Sequence, residues 1–208
     1  MALSKKVEQG KATRRLLLDT ARQLFAARGY DDVSADELVR AAGVTKGALY
    51  HHFRGKAAVF EAVYEEVLAE FDEEISEAGS RAFKRTGEPW AALQAGLRRF
   101  LDLCIEPRVM RIVLIEAPAA LGWPRWEQLD TRFSVRQLGG ILERLMASGD
   151  IERQPVEPLA GVLVGALNQA GRLIARSPDP KAARRTYGAV VDRLFEGLRP
   201  ASHRTDGR

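Results

Sequence analysis

The run of 23 residues from Ser34 to Lys56 constrains the fold of this chain more than any other segment. Ser34 is suited to cap a helix, and Glu37, three residues later, completes a capping box. Gly43 stands where a chain leaves a helix in the left-handed conformation, and Thr45 is suited to cap the next helix. Two short helices joined by a tight turn that contains glycine form a helix-turn-helix, so the sequence predicts this motif.

The second helix of the motif carries one face that must be buried and one face suited to DNA. Leu49 and Phe53, four residues apart, share one side of the helix and are expected to pack inward. Lys46 and Tyr50 are expected to face solvent, where an ammonium reaches a guanine edge or a phosphate and a phenol reaches a thymine methyl or a phosphate. Gly47 has no Cβ, so a base edge can approach it closely. The helix is therefore expected to enter the major groove.

The residues from about Thr13 to Phe71 resemble the N-terminal DNA-binding domain of the TetR family of transcriptional repressors. The resemblance is carried by RRLLLDTARQLFAARGYDDVSADELVRAAGVTKGALYHHFRGKAAVF, in which LFAARGY ends the first helix and KGALYHHF forms the recognition helix. It implies a cytoplasmic homodimer whose all-helical C-terminal domain usually holds a small-molecule inducer. Carried over by position, the implied DNA contacts are Ser34, Thr45, Lys46, Gly47, Tyr50, His51, His52 and Lys56.

Two positions near the ends of the motif bear on DNA readout. Lys56 begins the next predicted helix, where its ammonium and the positive end of the helix dipole would face the same phosphate. Members of the family often carry a polar or basic base-reading residue in the helix before the turn, whereas Ala35 and Asp36 stand at the matching positions here. The residues expected to carry most of the base readout are therefore Lys46, Gly47 and Tyr50.

The positive charge of the chain is concentrated near its N-terminus. The net charge is +4, but residues 1–56 carry 11 basic and 6 acidic residues, whereas residues 57–208 carry 21 and 22. A module that displaces counterions from phosphates needs such an excess. A basic tail on an ordinary domain would produce part of the same asymmetry, because Lys5, Lys6 and Lys11 contribute to it.

Composition also indicates the compartment. The single cysteine, Cys104, excludes an internal disulfide and suits a reducing environment. The first dozen residues are polar and lack the apolar core of a secretory signal. The longest apolar stretch, residues 159–167, is far shorter than the ~18 residues that a transmembrane helix needs. We therefore expect a cytoplasmic protein without a membrane partner.

Hydrophobic periodicity predicts an all-α chain, because no run alternates apolar and polar residues as a strand would. Glycine and proline breaks divide the chain into about nine helices, with bounds that include 13–28, 56–79 and 122–146. The expected domains are residues 1–56, an N-terminal arm and helix-turn-helix, and residues 57–208. The second domain is expected to bind a ligand, to dimerise and to end in a disordered tail from about residue 200.

The helix that connects the two domains has an apolar residue at every fourth position from Val59 to Phe71. Its other sides are dense in acidic residues. We interpret these residues as a solvated face that also keeps DNA on the opposite side of the protein. They are Glu65, Glu66, Glu70, Asp72, Glu73, Glu74 and Glu77.

The helix predicted from residue 159 to 176 carries a stripe of small residues, because Gly161, Gly165 and Asn168 are spaced by four and three. Glycine inside a helix is less favourable than alanine by roughly 1 kcal/mol, so close approach of another helix is the expected reason. Together with the last helix it is expected to form a four-helix dimer seam, with packing inside one chain as the alternative. The residues expected at the seam are Gly161, Gly165, Val191, Leu194 and Phe195.

Large or polarizable side chains on several C-terminal helices predict a ligand cavity. Pockets in helical bundles combine apolar walls with a few convergent polar groups, and Asn168 supplies an amide on an otherwise apolar helix. Aromatic residues at helical spacing are equally typical of a plain core, and this alternative stays open. The residues expected to contact a ligand are Phe100, Cys104, Trp123, Trp126, Phe133 and Asn168.

Enzymatic and metal chemistry lack the residues that they require. The histidines are His51, His52 and His203, which leaves no base for Cys104 or for a serine of the C-terminal part. His51 and His52 are adjacent, hence about 100° apart on a helix, and have no partner at the spacing of metal ligands. We expect no catalytic residue, no metal and no cofactor. For the two adjacent histidines, phosphate contact and ordinary exposure are the alternatives.

These features predict a DNA-binding transcriptional regulator. The leading hypothesis is a repressor that a small molecule in the C-terminal domain releases from a palindromic operator, so that ligand and operator weaken each other's binding by the same factor. One alternative is a ligand-independent regulator with the same DNA-binding unit and a filled C-terminal core. The other is a dimeric interaction module that no longer binds DNA.

Overall fold

The computed structural model describes residues 2–130 and 134–200, with side chains described from residue 7 onwards. Within these residues the chain forms ten α-helices and no β-strand, so the prediction of an all-α fold is confirmed. A π-helical segment, Val109–Glu116, leads directly into the sixth helix. The helices are α1 (Ala2–Arg28), α2 (Ala35–Ala41), α3 (Lys46–His52), α4 (Lys56–Thr86), α5 (Pro89–Leu103), α6 (Ala117–Leu121), α7 (Trp123–Asp130), α8 (Arg136–Ser148), α9 (Val156–Ala175) and α10 (Pro180–Glu196).

Within the described residues, ten α-helices and the π-helical segment form where nine helices were predicted, because α6 was not predicted and the helix expected over residues 122–146 is divided. Its two parts are α7 and α8, and residues 131–133 between them lie outside the described residues. The first helix begins at Ala2 rather than near residue 13. The disordered tail expected from about residue 200 falls on residues 201–208, which also lie outside the described part of the chain.

The connecting helix α4 is longer than predicted, because Gly79 does not end it. At this position the missing side chain lets α5 come close: a Cβ on Gly79 would lie 3.1 Å from the carbonyl oxygen of Ala92. The helix ends instead at Gly87, whose φ of +73° is the left-handed conformation that glycine adopts without strain. A helix of 31 residues therefore connects the two parts of the molecule.

The first three helices, which we call the head, pack around a small apolar core that also includes the start of α4. Leu17, Leu38 and Leu49 are fully buried in it. Phe25 of α1 and Phe60 of α4 meet edge to face with ring centroids 5.2 Å apart, and Tyr30 packs on Phe60 at 5.0 Å. This aromatic cluster fixes the head on the connecting helix.

The helices from α4 to α10 and the π-helical segment form the part of the molecule that we call the body. Its other helices pack around α4 and α5. The helix α9 packs against α8, α10 and the π-helical segment, and this segment also contacts α1 and α4. The body therefore reaches the head by two routes, through α4 and through the π-helical segment. Among the helices of the described residues, none is both long and apolar enough to span a membrane.

Candidate nucleic-acid interface and ligand cavity

The helix-turn-helix forms as the sequence predicts. The Ser34 hydroxyl accepts a hydrogen bond from the amide of Glu37 at 3.2 Å, and the Thr45 hydroxyl accepts one from the amide of Ala48 at 3.1 Å. Gly43 has a φ of +65°, which turns the chain between the two helices. These caps satisfy amide groups that the first turn of each helix leaves without a partner.

The recognition helix α3 presents the two faces that its spacing predicts. Leu49 and Phe53 are buried against the head core, whereas Tyr50 keeps 53% of its surface exposed. Six of the eight residues implied as DNA contacts are exposed, and two are half-buried. The exposed ones are Ser34, Thr45, Lys46, Gly47, Tyr50 and His51, and the half-buried ones are His52 and Lys56.

At the surface of the head, Lys46 is paired with Asp36. The Lys46 ammonium lies 2.7 Å from an Asp36 carboxylate oxygen, and both side chains are exposed. The hydrogen bond and the charge of Asp36 raise the pKa of Lys46. DNA that contacts Lys46 must therefore compete with a carboxylate of the same protein, at a position where the sequence indicated an unusual residue for this family.

Asp36→Asn is expected to tighten operator binding about 3- to 10-fold at low salt, because it frees Lys46 and removes a negative charge from the surface that is predicted to face phosphates. Fluorescence anisotropy of a labelled operator across a salt series measures the change. Asp150→Asn makes the same change of net charge in the body and should leave the affinity as it is. Equal or weaker operator binding by Asp36→Asn would show that Asp36 is not close to bound DNA.

Lys56 is held by the loop between α1 and α2. Its Nζ donates a hydrogen bond to the carbonyl oxygen of Tyr30 at 2.8 Å and lies 3.9 Å from the centroid of the Tyr30 ring. An ammonium has three donors, so a phosphate contact stays compatible with this position. The cap of α4 is Gly55, which offers no side-chain hydrogen bond, so the first amides of this helix remain available to an anion.

The two adjacent histidines of α3 contact each other, with ring centroids 5.0 Å apart. Partial burial, and then the charges of His51 and Arg14, lower the pKa of His52. Arg14 comes from α1, where its guanidinium lies 5.3 Å from the centroid of the Phe53 ring. The first helix therefore brings positive charge beside the recognition helix.

A cavity of about 70 Å³ lies in the body between α4, α5, α8 and α9. Phe100 and Asn168, two of the residues predicted to contact a ligand, line it. The other walls are mostly aliphatic and phenyl side chains, among them Phe71, Leu93, Leu97 and Leu167. This is the combination of apolar walls and few polar groups that ligand pockets show.

The other residues predicted to contact a ligand lie elsewhere. Cys104 is fully buried against Gly171 of α9, and burial raises the pKa of its thiol. Trp123 keeps 59% of its surface exposed, and Trp126 packs beside it with ring centroids 4.9 Å apart. Neither tryptophan belongs to the described lining of the cavity. Phe133 lies outside the described residues.

Two carboxylates on the inner side of the body were not predicted as site residues. Asp72 of α4 lines the cavity, and burial together with the charge of Asp130 raises the pKa of Asp72 to about 7. Asp130 of α7 accepts hydrogen bonds from Asn168 at 2.9 Å and Ser134 at 3.4 Å, while burial raises its pKa. The sequence gives one indication of the position of Asp72, which directly follows Phe71, the last residue in the apolar row of α4.

The acidic residues of α4 are not the uniformly solvated face that we predicted. Glu70 lies 2.7 Å from Arg22 of α1 and 2.6 Å from Arg108, which begins the π-helical segment's first turn. Glu74 lies 2.6 Å from Arg108 and also pairs with Arg99 of α5. These hydrogen bonds and charges hold the pKa of both glutamates below the usual range. We call these five residues the ion-pair network, and it ties the head to the body.

A second contact between head and body lies at the end of α1. Gly29 has a φ of +91°, and a Cβ at this position would lie 2.5 Å from a carboxylate oxygen of Glu116. Glu116 ends the π-helical segment, so this segment is seated directly on the head. The positive φ favours glycine at position 29, whereas the nearby Glu116 carboxylate is the movable end of a flexible side chain.

The residues predicted at a dimer seam divide between the surface and the core of the single chain. Gly161, Gly165 and Leu194 are exposed, whereas Val191 and Phe195 are buried in the chain's own core. The interpretation of the last two as seam residues is therefore corrected. Burial within one chain removes them from the surface, and the exposed apolar residues on the same two helices are Val162, Leu173, Val190 and Leu194.

Two family models match the chain. Residues 17–63 match the model of bacterial regulatory proteins of the tetR family, and residues 90–198 match the model of the tetracyclin repressor-like C-terminal domain. The first contains the helix-turn-helix, and the second contains most of the body. Together the two matches cover the recognition helix and the helices around the cavity.

Known proteins of this kind are similar over most of the chain. The Transposon Tn10 TetC protein of Escherichia coli is 30% identical over 158 residues, which cover 76% of this chain and 78% of that protein. The crystal structure of a TetR-family transcriptional regulator from Pectobacterium atrosepticum superposes with a TM-score of 0.80 at 32% identity, covering 92% of this chain and 96% of the other. The structure of SmeT in complex with triclosan shares the fold, with a TM-score of 0.71 at 20% identity over 95% and 96% of the two chains.

Proposed function

Because this chain belongs to the TetR family of bacterial transcriptional regulators, we propose that it is a ligand-released repressor. In this proposal a homodimer binds an operator of two-fold symmetry and leaves it when a small molecule occupies the cavity of the body. The observation that carries the proposal is the connection, through one continuous helix α4, of an exposed recognition helix to a cavity that this same helix lines.

The composition of α3 supports specific DNA contact. Exposed Lys46 and Tyr50 offer a cation and a phenol to base edges, and Thr45 at the helix cap offers a hydroxyl to a phosphate. The half-buried Lys56 and the free amides at the start of α4 would hold a second phosphate. We therefore propose that the eight residues implied by the family resemblance form the DNA interface.

The exposed apolar residues of α9 and α10 support the dimer. Val162 and Leu173 of α9, with Val190 and Leu194 of α10, would stand open to water in a monomer. Two copies of this helix pair form a four-helix seam, in which Gly161 and Gly165 let the helices approach. A two-fold axis at this seam presents two recognition helices to one side of the duplex, at half-sites roughly 34–36 Å apart.

The two contacts between head and body offer a route for the switch. A ligand between α4, α5 and α9 acts directly on α4 and, through α9, on the π-helical segment that rests on Gly29. The ion-pair network joins these same elements to α1. In this proposal, ligand and operator each favour a different arrangement of these elements. The coupling free energy is set by the factor by which each weakens the binding of the other.

The operator is the first requirement of a test, and selection from random DNA with the full-length protein supplies it. Selected sites should contain two inverted half-sites. An effector found by a thermal-shift screen is then titrated with and without the selected operator, and the two affinities should differ by the factor by which effector weakens operator binding. Equal effector affinity in both titrations would favour a ligand-independent regulator. Failure to select any sequence would favour an interaction module that does not bind DNA.

A further inference from the structure

The cavity of the body is lined mainly by apolar groups, with four polar side chains among them. Its walls are aliphatic and phenyl side chains, and Phe71 and Phe100 meet there edge to face with ring centroids 5.6 Å apart. The polar lining residues are Asp72, Ser134, Gln137 and Asn168. A ligand with an apolar body and one polar group therefore suits this lining.

The polar side chains of the lining direct hydrogen bonds to acceptors other than the Asp72 carboxylate. Asn168 and Ser134 donate to Asp130, and the Gln137 amide donates to the backbone carbonyl of Asp72 at 2.9 Å. Among the described residues, none donates a hydrogen bond to the carboxylate of Asp72. The side chains leave this group as an acceptor without a donor.

The charge of this region is also unmatched. Asp72 and Asp130 are close enough for the charge of Asp130 to act on Asp72, and no lysine or arginine is among the described residues that line the cavity. Arg172 acts on Asp130, where its positive charge lowers the pKa. Burial and the charges of Asp130 and Asp72 raise the pKa of the fully buried Tyr64, and a hydrogen bond with Trp126 opposes this shift. Asp72 is half-buried, and a carboxylate withdrawn from water is normally either paired or protonated, so a cation is the partner that would complement its charged form.

We infer that the cavity binds a monocationic amine with an apolar body, whose ammonium pairs with Asp72 and whose body lies against Phe71 and Phe100. This inference rests on the proposed function, because it names the chemical class of the effector. An ammonium supplies the donors that the Asp72 carboxylate lacks, and the faces of the two phenyl rings favour a neighbouring cation.

The path into the cavity limits the shape and charge of the amine. An outer cavity of about 380 Å³ shares Ile75, Gly96, Gln137 and Ile141 with the inner one. A cavity of about 150 Å³ is needed to hold benzene, so the inner volume of about 70 Å³ takes the ammonium and the first carbons only. The rest of the body extends into the outer cavity, where Lys84 and Arg144 disfavour a second positive charge.

Three compounds of equal chain length test this inference by isothermal titration calorimetry with the full-length protein. Hexylamine carries one charge, hexanol carries none, and hexamethylenediamine carries a charge at each end. Since a hydrogen bond between an ammonium and a carboxylate is about twice as strong as a neutral one, hexylamine should bind at least about 10-fold more tightly than hexanol. The diamine should bind more weakly than hexylamine.

Two variants assign the effect to Asp72. Asp72→Asn keeps the shape of the side chain and removes its charge, so hexylamine should fall to the affinity of hexanol while hexanol binding is unchanged. Glu73→Gln removes an exposed carboxylate from the next position of α4 and should bind hexylamine as the unmodified protein does. Equal affinity for hexylamine and hexanol, undiminished hexylamine binding by Asp72→Asn, or no hexylamine binding at millimolar concentration would each overturn the inference.

Operator binding separates this inference from the proposed function. Hexylamine should weaken binding of the selected operator by the unmodified protein and by Glu73→Gln, but not by Asp72→Asn. If hexylamine binds through Asp72 and leaves operator affinity unchanged, the ligand class stands and the ligand-released switch fails. If hexylamine releases the operator equally well from Asp72→Asn, the switch stands and the ligand site is wrong.

Discussion

Phe60→Ala is expected to lower the free energy of unfolding of the head by about 3–5 kcal/mol, as is typical when a buried phenyl ring is removed from a packed core. Phe60 is fully buried, and its ring contacts Phe25 of α1 and Tyr30 of the following loop. Because this ring anchors the head on α4, its loss leaves a void between α1 and α4.

Two probes locate the effect within the molecule. All three tryptophans, Trp90, Trp123 and Trp126, belong to the body, so tryptophan fluorescence reports the body while far-ultraviolet circular dichroism reports every helix. In urea, Phe60→Ala should lose part of its helical signal before the fluorescence changes, and it should lose operator binding at the same urea concentration. Coincident transitions at the unmodified midpoint would contradict the anchoring role of Phe60.

Phe83→Ala is the matched control, because it removes the same ring from the same helix. Phe83 keeps 47% of its surface exposed, and substitutions at exposed positions usually change stability by less than about 0.5 kcal/mol. Its midpoint in urea should therefore stay close to that of the unmodified protein. A large loss of stability in Phe83→Ala would mean that the stability of the head depends on α4 as a whole rather than on the aromatic cluster.

Relative to the unmodified protein, Asp72→Asn is expected to gain about 1–3 kcal/mol in the free energy of unfolding between pH 5 and pH 8. The pKa of Asp72 is raised to about 7 in the folded state from an ordinary value of 3.8. The folded state therefore binds the proton more tightly than the unfolded state, and the unmodified protein loses stability as the pH rises between these two values. Asparagine does not titrate, so the variant lacks this loss.

Urea unfolding of both proteins from pH 5 to pH 8 measures this difference. The groups that act on Asp72 or share its surroundings, Asp130 of α7 and Tyr64 of α4, are present in both proteins. Glu73→Gln should follow the unmodified protein at every pH, since its side chain is exposed. A constant difference between Asp72→Asn and the unmodified protein across the series would show that Asp72 does not change its protonation in this range.

The head was predictable because its determinants are local. The caps at Ser34 and Thr45 and the left-handed Gly43 each act within four residues of sequence, and Leu49 and Phe53 lie one helical turn apart. Their positions therefore follow from spacing alone. The division of the helix expected over residues 122–146 and the π-helical segment were not predictable, because packing against distant helices overrides local preference there.

The body shows why the candidate ligand and seam residues were harder to predict. Glu70 and Glu74 resemble a solvated face until Arg22, Arg99 and Arg108 approach from three other elements, and no spacing in the sequence connects these residues. The last helix is apolar on two adjacent faces, with Val190 and Leu194 exposed and Val191 and Phe195 buried. Periodicity identifies both pairs but does not tell which faces the chain's own core.

The pairing of Lys46 with Asp36 also bears on the kinetics of the proposed regulator, because a duplex that contacts Lys46 must first break this ion pair. The cost is the same for every duplex, so it lowers the affinity for random DNA and for operator DNA by the same factor. Asp36 would therefore shorten the residence time on random DNA while leaving the ratio of the two affinities unchanged.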